Sequence, residues 1–180
     1  MKLELRSKVM NANDPKIIYL ARNLICDKAT VYDTGFAPFS TENINKDFKI
    51  TIRIKSFDSS NANNDIVLGC KYEGTISGQQ WPGIYIRKQN STFNVGGYNY
   101  WTPAINSVLG NNLYIWREDG IWYAQLDGDT KRTLSVRVAN FNQNIILGAG
   151  QQTNGTYFRY SKGVIDYIRI EYLNVEDEVM

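Results

Sequence analysis

The segment Asn111 to Gly128, NNLYIWREDGIWYAQLDG, holds two tryptophans, two tyrosines, three acids and an arginine. Such residues can hydrolyse a glycosidic bond through paired carboxylates, or stack a sugar on an aromatic face. They can equally build an ordinary hairpin. Asp119-Gly120 is a two-residue turn signal, because a type I′ turn needs positive φ at both central positions. The turn predicts the register: Glu118 opposes Ile121, Arg117 Trp122, Trp116 Tyr123, Ile115 Ala124, Tyr114 Gln125 and Leu113 Leu126. One face then carries Leu113, Ile115, Ala124 and Leu126, closed at its rim by a cation–π pair of Arg117 with Trp122. The other carries Tyr114, Trp116, Tyr123 and Gln125. The acids do not converge, since Asp119 lies in the turn and Glu118 and Asp127 lie at opposite ends. The aromatic face keeps two readings. One is a ladder of cross-strand pairs worth roughly 0.2–1 kcal/mol each. The other is a stacking platform on which Gln125 hydrogen-bonds sugar hydroxyls.

A second aromatic supply lies between Gln79 and Trp101, QQWPGIYIRKQNSTFNVGGYNYW. Trp81, Tyr98, Tyr100 and Trp101 stand beside Gln80, Asn94 and Asn99, a mixture of rings and amides suited to pyranose C–H faces and hydroxyls. A flexible Gly96-Gly97 pair could set the tyrosine loop over a sheet face. The alternative is that Trp81 and Trp101 plug the ends of the fold.

Other chemistries are excluded or weakened by composition. The chain has no histidine, which removes Ser-His-Asp and Cys-His catalysis, histidine zinc sites and the usual neutral-pH proton shuttle. A carboxylate-only glycosidase needs two carboxyls in one groove, about 5–5.5 Å apart for a retaining enzyme. Glu176-Asp177-Glu178 sit in a polar tail, and Glu73, Asp127 and Glu171 come from separate strands. No enzyme activity is therefore expected, and no cofactor. Asp58 and Asp65 lie in the oxygen-rich segment SFDSSNANND, which lacks the spacing of a recognised calcium loop and reads first as an ordinary solvated loop. Cys26 and Cys70 lack metal spacing and read as two buried thiols or one bridge. A net charge of +2, with both signs mixed, gives no electrostatic footprint for nucleic acid.

The elements that must position these residues are mostly strands. In DFKITIRIKSF, Phe48, Ile50, Ile52 and Ile54 alternate with Lys49, Thr51, Arg53 and Lys55. DIVLGCKY repeats the pattern with Ile66, Leu68, Cys70 and Tyr72, and GIYIRK, STFNVGGYNYW, LSVRVANF, NIILGAG and GVIDYIRIEYL follow between polar turns. Many short strands at close spacing predict an all-β sandwich or barrel. NDPKIIYLARNLICD admits one short N-terminal helix, with Asp14 as cap, Pro15 in the first turn, and Ile17, Leu20, Ala21 and Leu24 on one face. A strand is the alternative there. No apolar run approaches the roughly 20 residues of a membrane span, and the basic N-terminus lacks the apolar core of a signal peptide.

The order of VYDTGFAPFS, NKDFKITIRIKSF, the 111–128 hairpin, ILGAG and KGVIDYIRIEYL resembles the concanavalin A-like lectin/glucanase superfamily, closest to its laminin-G-like branch. The motifs are Asp33-Thr34-Gly35, Phe48, Leu126-Asp127-Gly128, and Gly163, Ile165, Asp166, Arg169 and Ile170, within Thr30 to Leu173. The resemblance implies an all-β, two-sheet antiparallel β-sandwich of jelly-roll type, with Asp166 and Arg169 fixing strand ends and loops. The Glu-x-Asp-x-(x)-Glu strand of the glucanases is missing. The chain is therefore expected to be a non-catalytic carbohydrate-binding or adhesion module spanning 30–180, preceded by an extension or docking segment over 1–29. Laminin-G-like domains occur in bacterial surface proteins and phage particles. The resemblance therefore implies a virion or surface-assembly component, made in the cytoplasm without a signal peptide. Its partners would be glycans or neighbouring virion subunits, with a homo-oligomer as one arrangement; the competing role is purely structural. The candidate ligand-binding residues are Trp81, Tyr98, Tyr100, Trp101, Tyr114, Trp116, Tyr123 and Gln125.

Overall fold

Alternation of apolar and polar side chains builds two facing sheets. The computed structural model of the chain describes residues 14, 16–58 and 65–174. In chain order its strands are β1 (Ile17–Asp27), β2 (Tyr32–Asp33), β3 (Phe48–Phe57), β4 (Ile66–Lys71), β5 (Thr75–Ile76), β6 (Gln79–Gln80), β7 (Gly83–Gln89) and β8 (Thr92–Gly96). They continue as β9 (Tyr100–Trp101), β10 (Asn112–Glu118), β11 (Ile121–Leu126), β12 (Arg132–Leu134), β13 (Ile146–Leu147), β14 (Gly150–Gln151), β15 (Tyr157–Phe158) and β16 (Lys162–Tyr172). The single helical turn is α1 (Ile105–Val108). The first sheet runs β1–β16–β3–β10–β11–β12 and the second β2–β13–β4–β7–β8–β9, with antiparallel neighbours throughout. Of the sandwich and barrel that the alternation allows, this is the two-sheet sandwich that the resemblance implies.

The core lies between the sheets. Phe48, Ile50, Ile52 and Ile54 of β3 and Leu113, Ile115, Ala124 and Leu126 of the β10–β11 hairpin are buried against Leu68, Cys70, Ile84, Ile86, Phe93 and Val95. One end is closed by rings: Phe39 stacks on Trp122 at 5.6 Å and on Phe141 at 5.0 Å. The DTG motif shapes the loop that brings Phe39 there. Asp33 Oδ1 accepts the Gly35 amide at 2.8 Å, and the Thr34 hydroxyl donates to the Ile145 carbonyl at 2.9 Å. Asp166 holds Arg53 across the first sheet at 2.8 Å, and Arg169 pairs with Glu171 at 2.6 Å.

Four expectations change. The helix candidate at the N-terminus is strand β1, so the described part of the 1–29 segment supplies an edge of the first sheet. Asp14 does accept the Lys16 amide, but in a turn that leads into a strand. Buried residues alternate as Tyr19 and Ala21, then shift past Asn23, whose φ is 53°, to Leu24 and Cys26. That single left-handed residue breaks period two and makes the pattern look helical. Secondly, β4 is buried on both faces rather than one, because the β14–β15 ladder approaches its outer side. Thirdly, Arg117 donates to the Ile44 carbonyl instead of capping Trp122, whose ring is core. Fourthly, Gly96 and Gly97 are buried and serve close approach. A Cβ on Gly97 would meet the Gly83 carbonyl oxygen at 2.6 Å. Cys26 and Cys70 are buried free thiols; burial pushes Cys26 up to about 11 and Cys70 higher still. Much of the candidate calcium loop lies outside the described residues.

Candidate functional site: two outer sheet faces

The hairpin register is the predicted one, and Asp119 and Gly120 have φ of 50° and 76°, as a type I′ turn requires. Period two therefore sends Tyr114, Trp116, Tyr123 and Gln125 to the outer face of the first sheet, where all four are half-buried. Trp116 and Tyr123 pack with centroids 5.3 Å apart. The Lys49 ammonium, from β3, lies 4.6 Å from the Tyr114 ring, and Lys131 lies 4.2 Å from the Tyr123 ring. Tyr114 donates its hydroxyl proton to Asp127 at 2.8 Å, and Gln125 donates to the Asp129 carbonyl at 2.8 Å. Slight burial pulls the other way, but bonds from the Asn112 amide and the Tyr114 hydroxyl hold the Asp127 carboxyl below its ordinary value.

An open groove of about 550 Å3 has Tyr114, Trp116 and Gln125 as floor and Lys49, Glu118 and Asp127 around it, while Tyr123 packs beside Trp116 outside its lining. Its two acids cannot act as a glycosidase pair. Asp127 is bonded to Asn112, at the other end of β10 from Glu118. Six residues of strand separate their backbones by about 20 Å, against at most about 9.5 Å between the carboxyls of an inverting enzyme. Of the other scattered acids, Glu171 is paired with Arg169, and Glu73 lies on the second sheet's outer side. Among the described residues no cluster of three or more Asp, Glu or Cys could hold a metal ion.

The second predicted set does not join the first. Trp81, Tyr98 and Tyr100 are 46%, 49% and 43% exposed, at the margin of the second sheet. Trp81 therefore plugs nothing, whereas Trp101 is half-buried against the core, with Arg132 5.3 Å from its ring. Asn94 is buried and bonded to Gln89, so it is not available to a ligand.

Beside these rings lies a cluster that sequence reasoning missed. Tyr85 and Arg87 point to the outer side of β7, opposite Ile84 and Ile86 in the core. Lys71 from β4 and Arg159 from the turn after β15 join them in a crevice. Lys71 and Arg87 sit 4.7 and 4.9 Å from the Tyr85 ring, and Tyr100 packs 5.8 Å from it. Burial, with Arg87 and Arg159 adding to it and Glu73 opposing, depresses the Lys71 ammonium below the usual lysine range. Burial pushes the Tyr85 phenol well above its ordinary value, against Arg87. The visible signal was Tyr85-x-Arg87, two polar-tipped residues alternating with isoleucines; nothing in the sequence brings Arg159 to them.

No protein-family model matches the chain, and no curated protein matches it at a significant level. Solved structures do. The fold is similar to the CBM40 module of the IT-sialidase of Ruminococcus gnavus, solved with α2,6-sialyllactose. The identity is 16%, coverage is 86% of this chain and 92% of that one, and the TM-score is 0.51. It is also similar to a leech intramolecular trans-sialidase complexed with 2,7-anhydro-Neu5Ac, at 14% identity and TM-score 0.52. That match covers 92% of this chain but only 27% of the leech protein. At these identities the likeness is one of fold, a two-sheet β-sandwich.

Proposed function

We propose that this chain is a non-catalytic glycan-binding module whose sugar platform is the groove on the outer face of the first sheet. The observation that carries the reading is the groove itself. It is ligand-sized, open, floored by Tyr114 and Trp116, and edged by amide, ammonium and carboxylate groups. Apolar pyranose faces stack on such rings while the polar edge takes hydroxyls. The separation of Glu118 from Asp127, the two acids of the groove, supports binding without hydrolysis there. The sandwich shared with a sialyllactose-bound module supports the ligand class. Within this reading the chain belongs to the laminin-G-like branch of the concanavalin A-like superfamily and acts in adhesion from a phage virion or another surface assembly. Motif order supports the branch, and the use of such domains in particles and on surfaces supports the setting.

The test is calorimetric titration against neutral and sialylated oligosaccharides, preceded by a glycan array. Trp116→Ala is expected to weaken the best neutral ligand about thirtyfold, the effect of losing one central aromatic anchor of about 2 kcal/mol. An empty array, or unchanged affinity in Trp116→Ala, would refute the platform. Sustained release of reducing ends would refute the non-catalytic assignment.

A further inference from the structure

We propose that the crevice formed by Lys71, Arg87 and Arg159 on the outer face of the second sheet binds the carboxylate of an acidic sugar, flanked by Trp81 and Tyr100 as stacking rings. This is a second subsite, with chemistry unlike that of the groove. It extends the glycan-binding reading but is tested apart from it.

Three observations converge. The first is charge. Three cations share the site with one acid, Glu73, and among the described residues no salt bridge within 4.0 Å neutralises any of the three. Clustered cations repel, so the arrangement gains most from an anion among them. The second is unsatisfied hydrogen bonding. Tyr85 is 2% exposed and its hydroxyl meets only that of Tyr100, and Arg87 Nε is buried and unpartnered. Buried polar groups are nearly always bonded, and exceptions concentrate where a ligand or water completes them. The third is shape. The crevice is about 10 Å3, room for about one water-sized atom. It can seat one oxygen of a planar carboxylate, while the guanidinium forks supply directed donors.

The rim argues that the anion is carried on a sugar. Trp81 and Tyr100 stand exposed on either side, with Lys71 5.5 Å from the Trp81 ring and Arg87 5.5 Å from the Tyr100 ring. The two cations therefore reach both the crevice and the rings, as a ring bearing a carboxylate would require. Glu73 is placed to accept hydroxyls and disfavours a dianion such as phosphate. Trp81 and Arg159 both hold left-handed backbone, φ 52° each, so the two side chains are set by unusual local conformations.

The experiment uses the full chain and a matched pair of probes, trigalacturonate and its trimethyl ester, which differ in charge and in one methyl group per ring. Titration is expected to show at least tenfold tighter binding of the acid, with the preference shrinking as salt rises. Arg87→Gln and Arg159→Gln should each reduce acid binding at least tenfold and leave methyl-ester binding unchanged. Arg159 is exposed, so its variant is expected to melt as the parent does. Trp116→Ala should leave the acid preference intact, which separates failure of the groove from failure of the crevice. Equal affinity for acid and ester, or parental acid binding in both arginine variants, would overturn the proposal. So would equal competition by acetate or inorganic phosphate, which would mean a plain anion site.

Discussion

The two outer faces solve the same polar problem differently. On the first sheet the polar groups mostly find one another, Arg169 Nε excepted: Tyr114 bonds Asp127, Gln125 bonds the Asp129 carbonyl, Arg53 bonds Asp166, and Lys49 rests over Tyr114. On the second sheet the β14–β15 ladder approaches β4, Tyr85 meets only Tyr100, and Arg87 Nε is left unbonded among surplus positive charge. A face satisfied by itself is a fixed platform, where a ligand gains by stacking and displaces weakly held water. A face left unsatisfied gains by electrostatic completion, and should discriminate by charge. The two should differ in ligand, in salt dependence and in response to isosteric mutation.

The largest expected effect that separates them is on binding. Combining Trp116→Ala with Arg87→Gln should remove neutral and acidic recognition independently, with free-energy changes adding to within about 0.5 kcal/mol. Strong non-additivity in calorimetry would mean that one ligand spans both faces and the comparison is false. Stability gives the next effect. Tyr85→Phe deletes a buried hydroxyl whose one neighbour is that of Tyr100 and is expected to be neutral or to stabilise the protein by up to about 1 kcal/mol, whereas Tyr114→Phe deletes a made bond and should cost about 0.5 kcal/mol. Urea unfolding of both variants reads the signs; two losses would show that Tyr85 is already bonded. The smallest effect is on acid stability. The Asp127 carboxyl is depressed in the folded state, so its contribution is complete above its unfolded value of 3.8 and fades as pH falls through the lower folded value. A carboxyl NMR titration placing Asp127 at or above 3.8 would remove the bonded-groove description.

How much of this was legible depends on sequence distance. The hairpin was, because a two-residue turn sets register with no help from elsewhere, and period two then sorts its faces. The same rule placed Phe48 to Ile54 in the core. It failed at Ile17–Asp27, where Asn23 breaks the alternation and the partner strand β16 lies at the far end of the chain. It also failed at β4, which looked half-exposed until β14–β15 was seen above it. Arg117 was aimed at Trp122 because only the hairpin was in view; the Ile44 carbonyl comes from a distant loop.

Local periodicity, turn chemistry and composition were enough for an all-β sandwich or barrel, a hairpin with an aromatic outer face and acids that lie apart, and no histidine-based catalysis. Tertiary structure was needed to choose two facing sheets, to leave Trp81 in solvent while Trp101 packs, and to bring Lys71, Arg87 and Arg159 together. Those outcomes depend on which distant strands lie side by side, and long-range pairing leaves no local trace in residue spacing.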